Sequence, residues 1–267
     1  MDAPANQSPR PCLPLDFYRV AVVLPALDEA ESVAASVAHW REIGCGLVRV
    51  VDNGSTDNTS EVARKAGAEV LHEPVRGYGA AAWCGAGGLP ENITWILFSS
   101  ADGSDYLDET SLEDFRKAVA DGACLVIGDR VTRPDARATL NLVQRFGNAF
   151  ACTLIRLGWG VSFRDLGSLR LIRRDTFDWL ALQDRAFGWN IEMQVRSVEA
   201  GIPIREVPVG YRPRQAGSPK ISGSLRGVVQ AGSGIVMTLA RLWTDHKNRP
   251  ARCLASLTSI SGETKGG

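Results

Sequence analysis

Three aspartates at intervals of three residues follow an apolar run near the middle of the chain. Residues 98–108 read FSSADGSDYLD and carry Asp102, Asp105 and Asp108. Carboxylate oxygens are the ligands that Mg²⁺ and Mn²⁺ prefer, and such an ion offsets the charge that develops on a leaving diphosphate. The spacing therefore favours a metal and phosphate site, with a solvated acidic loop as the alternative.

Buried strands must position these side chains. Short β-branched or apolar runs at residues 19–25, 47–51 and 94–98 alternate with helical patterns, which predicts an α/β fold with a mostly parallel sheet and helices on both faces. The strands end in polar or acidic stretches at residues 25–29, 52–57 and 99–105. Ligands of such sheets bind at the carboxyl ends of the strands, so we expect the three stretches to form one site.

The second half is less regular. Residues 140–157 and 189–200 are predicted helices, and residues 204–209 an edge strand, since Pro208 cannot donate to a ladder. A basic loop, YRPRQAGSPKISGS, follows. The predicted organisation is a disordered arm at 1–18, a Rossmann-like α/β domain at 19–226, an amphipathic helix at 227–243 and a disordered tail at 244–267. That helix either packs on its own domain or lies on a membrane surface with Arg226, Arg241 and Trp243.

Composition narrows the class of protein. The chain has 267 residues, 45% of them hydrophobic, and 30 basic residues balance 30 acidic ones. This describes a globular protein and disfavours nucleic acid as a partner. The six cysteines form no CxxC pair, which disfavours a zinc site or a disulfide framework. No signal peptide and no membrane-spanning run is recognisable, which predicts a cytoplasmic location.

Several motifs in order now identify a resemblance. VVLPALDEAESV, VVDNGSTDNT, RGYGAA, SADGSD, GDR and GSPKISG together resemble family 2 glycosyltransferases with the GT-A fold, over about residues 19–230. The most similar branch is the dolichyl-phosphate mannose/glucose synthase-like group. Each motif alone is weak, but their order and spacing are specific.

The resemblance implies roles for individual residues. Glu29 is expected near the ribose or base, Asp52 at the base, and Asp102 at the metal and diphosphate. Pro25 and Leu27 would line the nucleoside, and Arg76 would contact the donor. The basic residues expected near the diphosphate and the acceptor phosphate are Arg130, Arg145 and Lys220, and the loop that carries Lys220 is expected to close over the donor.

Each of these roles has a structural alternative. Asp52 is also a plausible turn residue, and Asp57 a helix cap rather than a ligand. Asp105 is a metal ligand or a solvated loop carboxylate. Arg145 and Glu192 are alternatively ordinary exposed charges on helices.

The metal motif departs from the family pattern. The usual Asp-x-Asp is here Ser100-Ala101-Asp102, so one carboxylate is replaced by a hydroxyl. Asp102 alone holds the metal with donor phosphates and water, or Asp105 supplies the missing oxygen, or metal-dependent transfer is lost. We favour the first explanation, because the basic residues are all present.

The implied reaction is inverting transfer of a hexose from a UDP- or GDP-sugar, with Mg²⁺ or Mn²⁺, to polyprenyl phosphate at the cytoplasmic membrane surface. A phosphate acceptor needs no strong base, whereas an alcohol would need one, and Asp165 or Glu192 is the candidate. Two alternatives are a soluble, non-phosphate acceptor and a nucleotide-sugar-binding protein without transfer activity. A sugar-phosphate nucleotidyltransferase is disfavoured, because LPALDEAES is acidic where that class has a basic first loop.

Overall fold

The computed structural model describes residues 14–214 and 225–248. The strands are β1 (Val20–Ala26), β2 (Leu47–Asp52), β3 (Glu69–His72), β4 (Trp95–Phe98), β5 (Asp105–Tyr106), β6 (Leu125–Asp129), β7 (Arg170–Arg173), β8 (Ile204–Pro208) and β9 (Gly210–Tyr211). The helices are α1 (Val33–Glu42), α2 (Thr59–Lys65), α3 (Tyr78–Ala86), α4 (Glu109–Ala120), α5 (Pro134–Thr139), α6 (Leu142–Trp159), α7 (Arg174–Leu180), α8 (Trp189–Glu199) and α9 (Leu225–Asn248).

Seven strands form one sheet in the order β3-β2-β1-β4-β7-β6-β8, and β5 pairs with β9 in a second, two-stranded sheet. In the large sheet only β7 runs antiparallel to its neighbours, and β8 lies at the edge as predicted. The chain passes from β1 to β2 on one side and returns to β4 on the other. This reversal opens a crevice at the carboxyl ends of β1 and β4, where ligands of open α/β sheets bind.

Helices cover both faces of the sheet, which confirms the predicted layering. On one face Trp40 of α1 and Phe115 of α4 are fully buried with residues of β1 and β2. On the other, Phe98 of β4 packs against Phe177 of α7 and Trp189 of α8, with ring centroids 5.7 and 5.9 Å away. Burying these large aromatic side chains contributes strongly to stability, and it fixes the strand ends that carry the polar loops.

The structure shifts several predicted boundaries. Residues 14–18 belong to the folded domain rather than to an arm, because Leu15 and Phe17 are buried and Asp16 caps a short 3-10 helix. Helix α9 extends beyond residue 243. It packs on the domain through Leu239 and Leu242, which confirms one of the two predicted placements. None of the helices in the described part of the chain is long and apolar enough to cross a bilayer.

Candidate active site

The loops after β1 and β2 are joined at the carboxyl edge of the sheet. The Asp28 carboxylate accepts hydrogen bonds from the Thr56 amide at 2.6 Å and from its hydroxyl at 3.1 Å, and the Ser55 hydroxyl accepts one from the Asp28 amide. Asp28 adopts a positive φ of 49°, a conformation that costs free energy in a residue with a Cβ. Pro25, Leu27 and Glu29 are thereby held beside the end of β2.

The loop between β3 and α3 brings Arg76 to the same edge. The Arg76 guanidinium donates to the Gly54 carbonyl at 3.0 Å, and the Asn53 side chain ties the backbone of this loop down through Gly77 and Val75. Gly77 has φ 151°, and a Cβ there would lie 2.1 Å from the Arg185 carbonyl oxygen. The close approach therefore requires glycine at this position of the RGYGAA motif.

Asp52 closes its own turn. Its Oδ1 accepts hydrogen bonds from the amides of Gly54 and Ser55, and the Ser60 hydroxyl donates to its Oδ2. Burial alone would raise the pKa of Asp52, but the hydrogen bonds from Ser60 and Ser55 hold it below its ordinary value. Asp52 is thus an ionised acceptor at the edge of the crevice, and the turn role that the sequence offered as an alternative is real.

Asp102 lies in the loop after β4 and is only 6% exposed. Its Oδ1 accepts from the amide and hydroxyl of Ser104, at 3.0 and 2.5 Å. These two donors fix the side chain and leave Oδ2 as its remaining oxygen. Oδ2 faces the guanidinium of Arg214. A fixed, buried carboxylate with one oxygen facing a positive charge is suited to binding a metal.

Asp105 is not the solvated loop carboxylate that the sequence allowed. It is 3% exposed, and its Oδ2 accepts from the Ser100 amide at 2.9 Å and the Ser168 hydroxyl at 2.7 Å. Its Oδ1 is buried without a hydrogen-bond partner among the described residues. Burial raises the pKa of Asp105, and nearby Arg130 partly opposes the rise. Its carboxylate is buried within the loop after β4 and holds the backbone of Ser100 in place.

Arg214 connects the loop after β1 with the loop after β4. Its Nη1 lies 3.0 Å from Oδ2 of Asp102, and its Nη2 lies 2.5 Å from Oε1 of Glu29. One guanidinium therefore offsets two buried carboxylates at the point where the metal and the nucleotide are expected. We did not single out Arg214 from the sequence, and its position in the basic loop after β9 is the signal that could have revealed it.

We predict that Arg214→Gln will bind Mn²⁺ about tenfold more tightly without nucleotide. A hydrogen bond to a charged group contributes about 1.5–3 kcal/mol, and each 1.4 kcal/mol corresponds to about tenfold in affinity, so removing the guanidinium frees both carboxylates for the ion. Titration calorimetry with Mn²⁺ measures the change. Arg212→Gln is the matched control, because Arg212 donates to the Gly103 carbonyl. Equal affinity in both variants would contradict the assignment.

Arg130 and Asp165 form a buried pair. The guanidinium donates through Nε and Nη2 to the two carboxylate oxygens at 2.7 and 2.8 Å, and it lies 4.9 Å from the ring centre of Tyr211. Asp165 is fully buried. Burial alone would raise the pKa of Asp165, but Arg130 holds it below its usual range. Asp165 therefore fixes Arg130, whose Nη1 forms no hydrogen bond with the described part of the chain.

Glu192 is also buried rather than an exposed helix charge. Its Oε2 accepts from the amides of Gln183 and Asp184 at 2.9 and 2.6 Å, and its Oε1 lies 3.3 Å from Arg241. The carboxylate is 1% exposed and holds the loop before α8 against α9. Its contacts therefore stabilise the fold.

Of the two remaining predicted phosphate-binding residues, Arg145 and Lys220, the structure describes only Arg145. Arg145 is exposed on α6 and lines a pocket of about 360 Å³. Val131 and Arg164, which also line this pocket, are the chain neighbours of Arg130 and Asp165. Lys220 lies outside the described residues, and the predicted lid role of its loop stays a prediction.

Comparison with known proteins agrees with this geometry. Residues 21–180 match the family model described as glycosyl transferase family 2. An uncharacterised glycosyltransferase of Mycobacterium tuberculosis is 38% identical over 213 residues, which cover 79% of this chain and 94% of the relative. A dolichyl-phosphate hexose transferase of Haloferax volcanii is 30% identical over 222 residues, covering 82% and 93%.

A solved structure shares the fold. The crystal structure of glucosyl-3-phosphoglycerate synthase from Mycobacterium tuberculosis, in complex with Mg²⁺ and uridine diphosphate, superimposes with a TM-score of 0.64 at 21% identity. The match covers 84% of this chain and 79% of that one. The sheet order, the strand-end loops and these likenesses lead to one conclusion: this chain belongs to glycosyl transferase family 2 and is a glycosyltransferase with the GT-A fold.

Proposed function

We propose that this enzyme transfers a hexose from a UDP- or GDP-sugar to polyprenyl phosphate with inversion at the anomeric carbon. The observation that carries the proposal is Asp102, a buried carboxylate at the carboxyl end of β4 that already faces a cation, Arg214. It lies beside Glu29 at the crevice where such sheets bind nucleotides. The name of the Haloferax volcanii relative supports a lipid phosphate as acceptor.

The nucleoside part of the donor fits the loops after β1, β2 and β3. Glu29 and Asp52 offer fixed carboxylate acceptors for hydroxyl and base N–H groups, with Pro25 and Leu27 as the apolar wall. Arg76, held on the Gly54 carbonyl, offers positive charge at the same edge. A crevice with an apolar wall and a few fixed polar groups is the usual form of a small-molecule site.

Asp102 is the residue that would hold Mg²⁺ or Mn²⁺. Its Oδ2 is paired with a guanidinium, so the position accepts positive charge. A divalent ion bound there would offset charge on the leaving diphosphate. Mg²⁺ commonly takes one or two protein carboxylates together with substrate phosphates and water, and a neutral Ser100 is compatible with that set. Asp105 stays a prediction as a second ligand.

The transfer step needs no base with this acceptor. An oxygen of the acceptor phosphate attacks the anomeric carbon, and the bond from that carbon to the donor diphosphate breaks on the opposite side. Arg130, Arg145 and Lys220 would balance the negative charges of acceptor and leaving group. An alcohol acceptor would require a base, and both candidates, Asp165 and Glu192, are held by arginines and backbone amides. Their contacts support the phosphate acceptor.

The test has two stages. A thermal-shift screen of UDP, GDP, UDP-glucose and GDP-mannose, with and without Mn²⁺, identifies the donor, because a ligand that binds only the native state raises its apparent stability. Release of UDP or GDP is then measured with and without a polyprenyl phosphate.

Metal-dependent release that requires the lipid phosphate is the expected result. Release with a soluble acceptor instead would support the second candidate acceptor. Donor binding without release over a panel of acceptors would show a nucleotide-sugar-binding protein, the outcome that the replacement of an aspartate by Ser100 motivates.

A further inference from the structure

We infer that helix α6 is a membrane-docking element whose exposed face enters the headgroup region of an anionic lipid bilayer. This goes beyond the proposed transfer, since docking requires neither donor nor acceptor. The exposed face is defined here as Leu142, Phe146, Phe150 and Leu157. From the sequence, membrane contact was one of two alternatives for α9, and none was predicted for α6.

The exposed face is apolar where a helix on a globular domain is usually polar. Leu142, Phe146 and Leu157 are 80%, 76% and 78% exposed, and Phe150 is 41% exposed. Their spacing of four, four and seven residues puts them on one side of the helix. The opposite side is apolar as well and is buried in the core through Ala151, Cys152 and Ile155. The helix therefore has two apolar sides, and its own domain covers one of them.

The exposed face is also held in a defined shape. Asn141 and Gln144 form a reciprocal capping box at the start of the helix, with bonds of 2.8 and 3.0 Å. The rings of Phe146 and Phe150 are stacked, with centroids 6.4 Å apart and planes 5° from parallel. Rigid aromatic side chains on a capped helix lose little conformational entropy on insertion, which favours binding.

Arginines border the exposed face, and their positive charge favours a negatively charged binding partner. Arg145 and Arg156 lie on α6 between the exposed and buried sides, and with Arg137 and Arg164 they line the pocket of about 360 Å³. Among the described residues, no ion pair involves Arg137, Arg145 or Arg156. The fourth arginine, Arg164, lies 3.7 Å from Asp129. Apolar anchors next to unpaired cations match a bilayer with acidic headgroups.

A second copy of the chain is a poorer match for the exposed face. A two-fold dimer is self-complementary, so each patch meets its own equivalent. Helix α6 carries arginines and no acidic residue, so contact through α6 would place the arginines of one copy near those of the other. An anionic lipid surface supplies opposite charge to all of them at once. The same docking would bring lipid phosphate to the pocket that Arg145 and Arg164 line.

Flotation with vesicles of phosphatidylcholine, alone or mixed with phosphatidylglycerol, tests the inference on the full chain without donor. We expect wild-type protein to float with the anionic vesicles and to be released by salt. Phe146→Ser combined with Phe150→Ser should weaken vesicle binding about tenfold or more, because bound apolar area is lost. Arg137→Gln combined with Arg156→Gln should weaken binding to anionic vesicles about tenfold, with little effect on neutral ones.

Matched controls keep the result specific. Trp179→Ser removes an aromatic side chain of α7 that is 60% exposed, and Lys117→Gln combined with Arg205→Gln removes two exposed charges elsewhere. Both should float like wild type. Absence of wild-type binding, or equal losses in the controls, would overturn the inference. So would a wild-type dimer in solution that Phe146→Ser and Phe150→Ser dissociate without any vesicle binding. Nucleotide thermal shifts on the same samples report separately on the donor site.

Discussion

Asp102→Asn is expected to lower kcat/KM for sugar transfer by about 10²–10³-fold, the usual effect of removing one preorganised electrostatic group from a transition state. Asparagine keeps the size of the side chain but removes the charge that faces Arg214 and the expected metal. The thermal shift produced by nucleotide should also lose its dependence on Mn²⁺. Steady-state release of UDP or GDP and parallel melting curves measure both effects.

Asp108→Asn provides the control in the same segment of chain. Asp108 caps α4 through the Ser111 amide at 2.9 Å and pairs with Arg133. Asparagine also caps a helix well, so Asp108→Asn removes only the charge of a partly exposed ion pair; it should cost less than about 1 kcal/mol of stability and leave transfer nearly unchanged. If Asp102→Asn retained metal-stimulated transfer at the level of this control, Asp102 would be removed from the site. Loss of transfer with full metal dependence of binding would place Asp102 at the sugar instead.

The largest effect on stability is expected from Asp165→Ala. It leaves the guanidinium of Arg130 without its counter-charge, and breaking one side of a buried ion pair typically costs about 3–5 kcal/mol. Urea unfolding followed by circular dichroism measures the change. The stabilising contribution of Asp165 requires its ionised form, since its folded-state pKa is lowered. The difference between wild type and variant should therefore shrink as pH falls below the ordinary pKa of aspartate, about 3.9.

Two further variants separate the buried pair from aspartate–arginine pairs in general. Asp135 pairs with Arg133 on the surface at 2.9 Å and is 56% exposed, so Asp135→Ala should cost less than about 1 kcal/mol. Asp165→Asn combined with Arg130→Met removes both buried charges, while an amide oxygen remains for the Arg130 backbone N–H that Asp165 now accepts. This double variant should regain most of the stability that Asp165→Ala loses. Equal losses in Asp135→Ala and Asp165→Ala would contradict the buried-pair assignment.

Much of the fold was predictable from local patterns. The runs of β1, β2 and β4 are apolar on both sides of the strand, so both faces of their sheet must be covered. The helical patterns between them supply that cover, and the layered sheet therefore follows from composition and spacing. The polar residues at each strand end follow the same logic, since a turn must expose its backbone or pair it with side chains. The sequence alone therefore assigns Asp52 and Asp102 to one edge of the sheet.

The roles of the individual carboxylates were harder to predict. Glu192 and Asp105 have the same chemical form as Asp102, and the sequence allowed all three to be exposed. Burial and partners separate them: Asp105 lies under the Ser100 loop, Glu192 braces α8 against α9, and only Asp102 faces the Glu29 side of the crevice through Arg214. Such differences arise from side chains that are distant in sequence, and no local spacing encodes them.

Local chemistry along the chain determined the strands, the helices and the edge at which the acidic residues collect. The tertiary structure alone decided that Arg214, 185 positions from Glu29, offsets the charges of two loops, and that Asp165 is taken by Arg130. It also decided which apolar side of α6 faces the core. Periodicity shows that a helix has apolar sides, but only packing against the rest of the molecule determines which one is buried and which one remains to meet a partner.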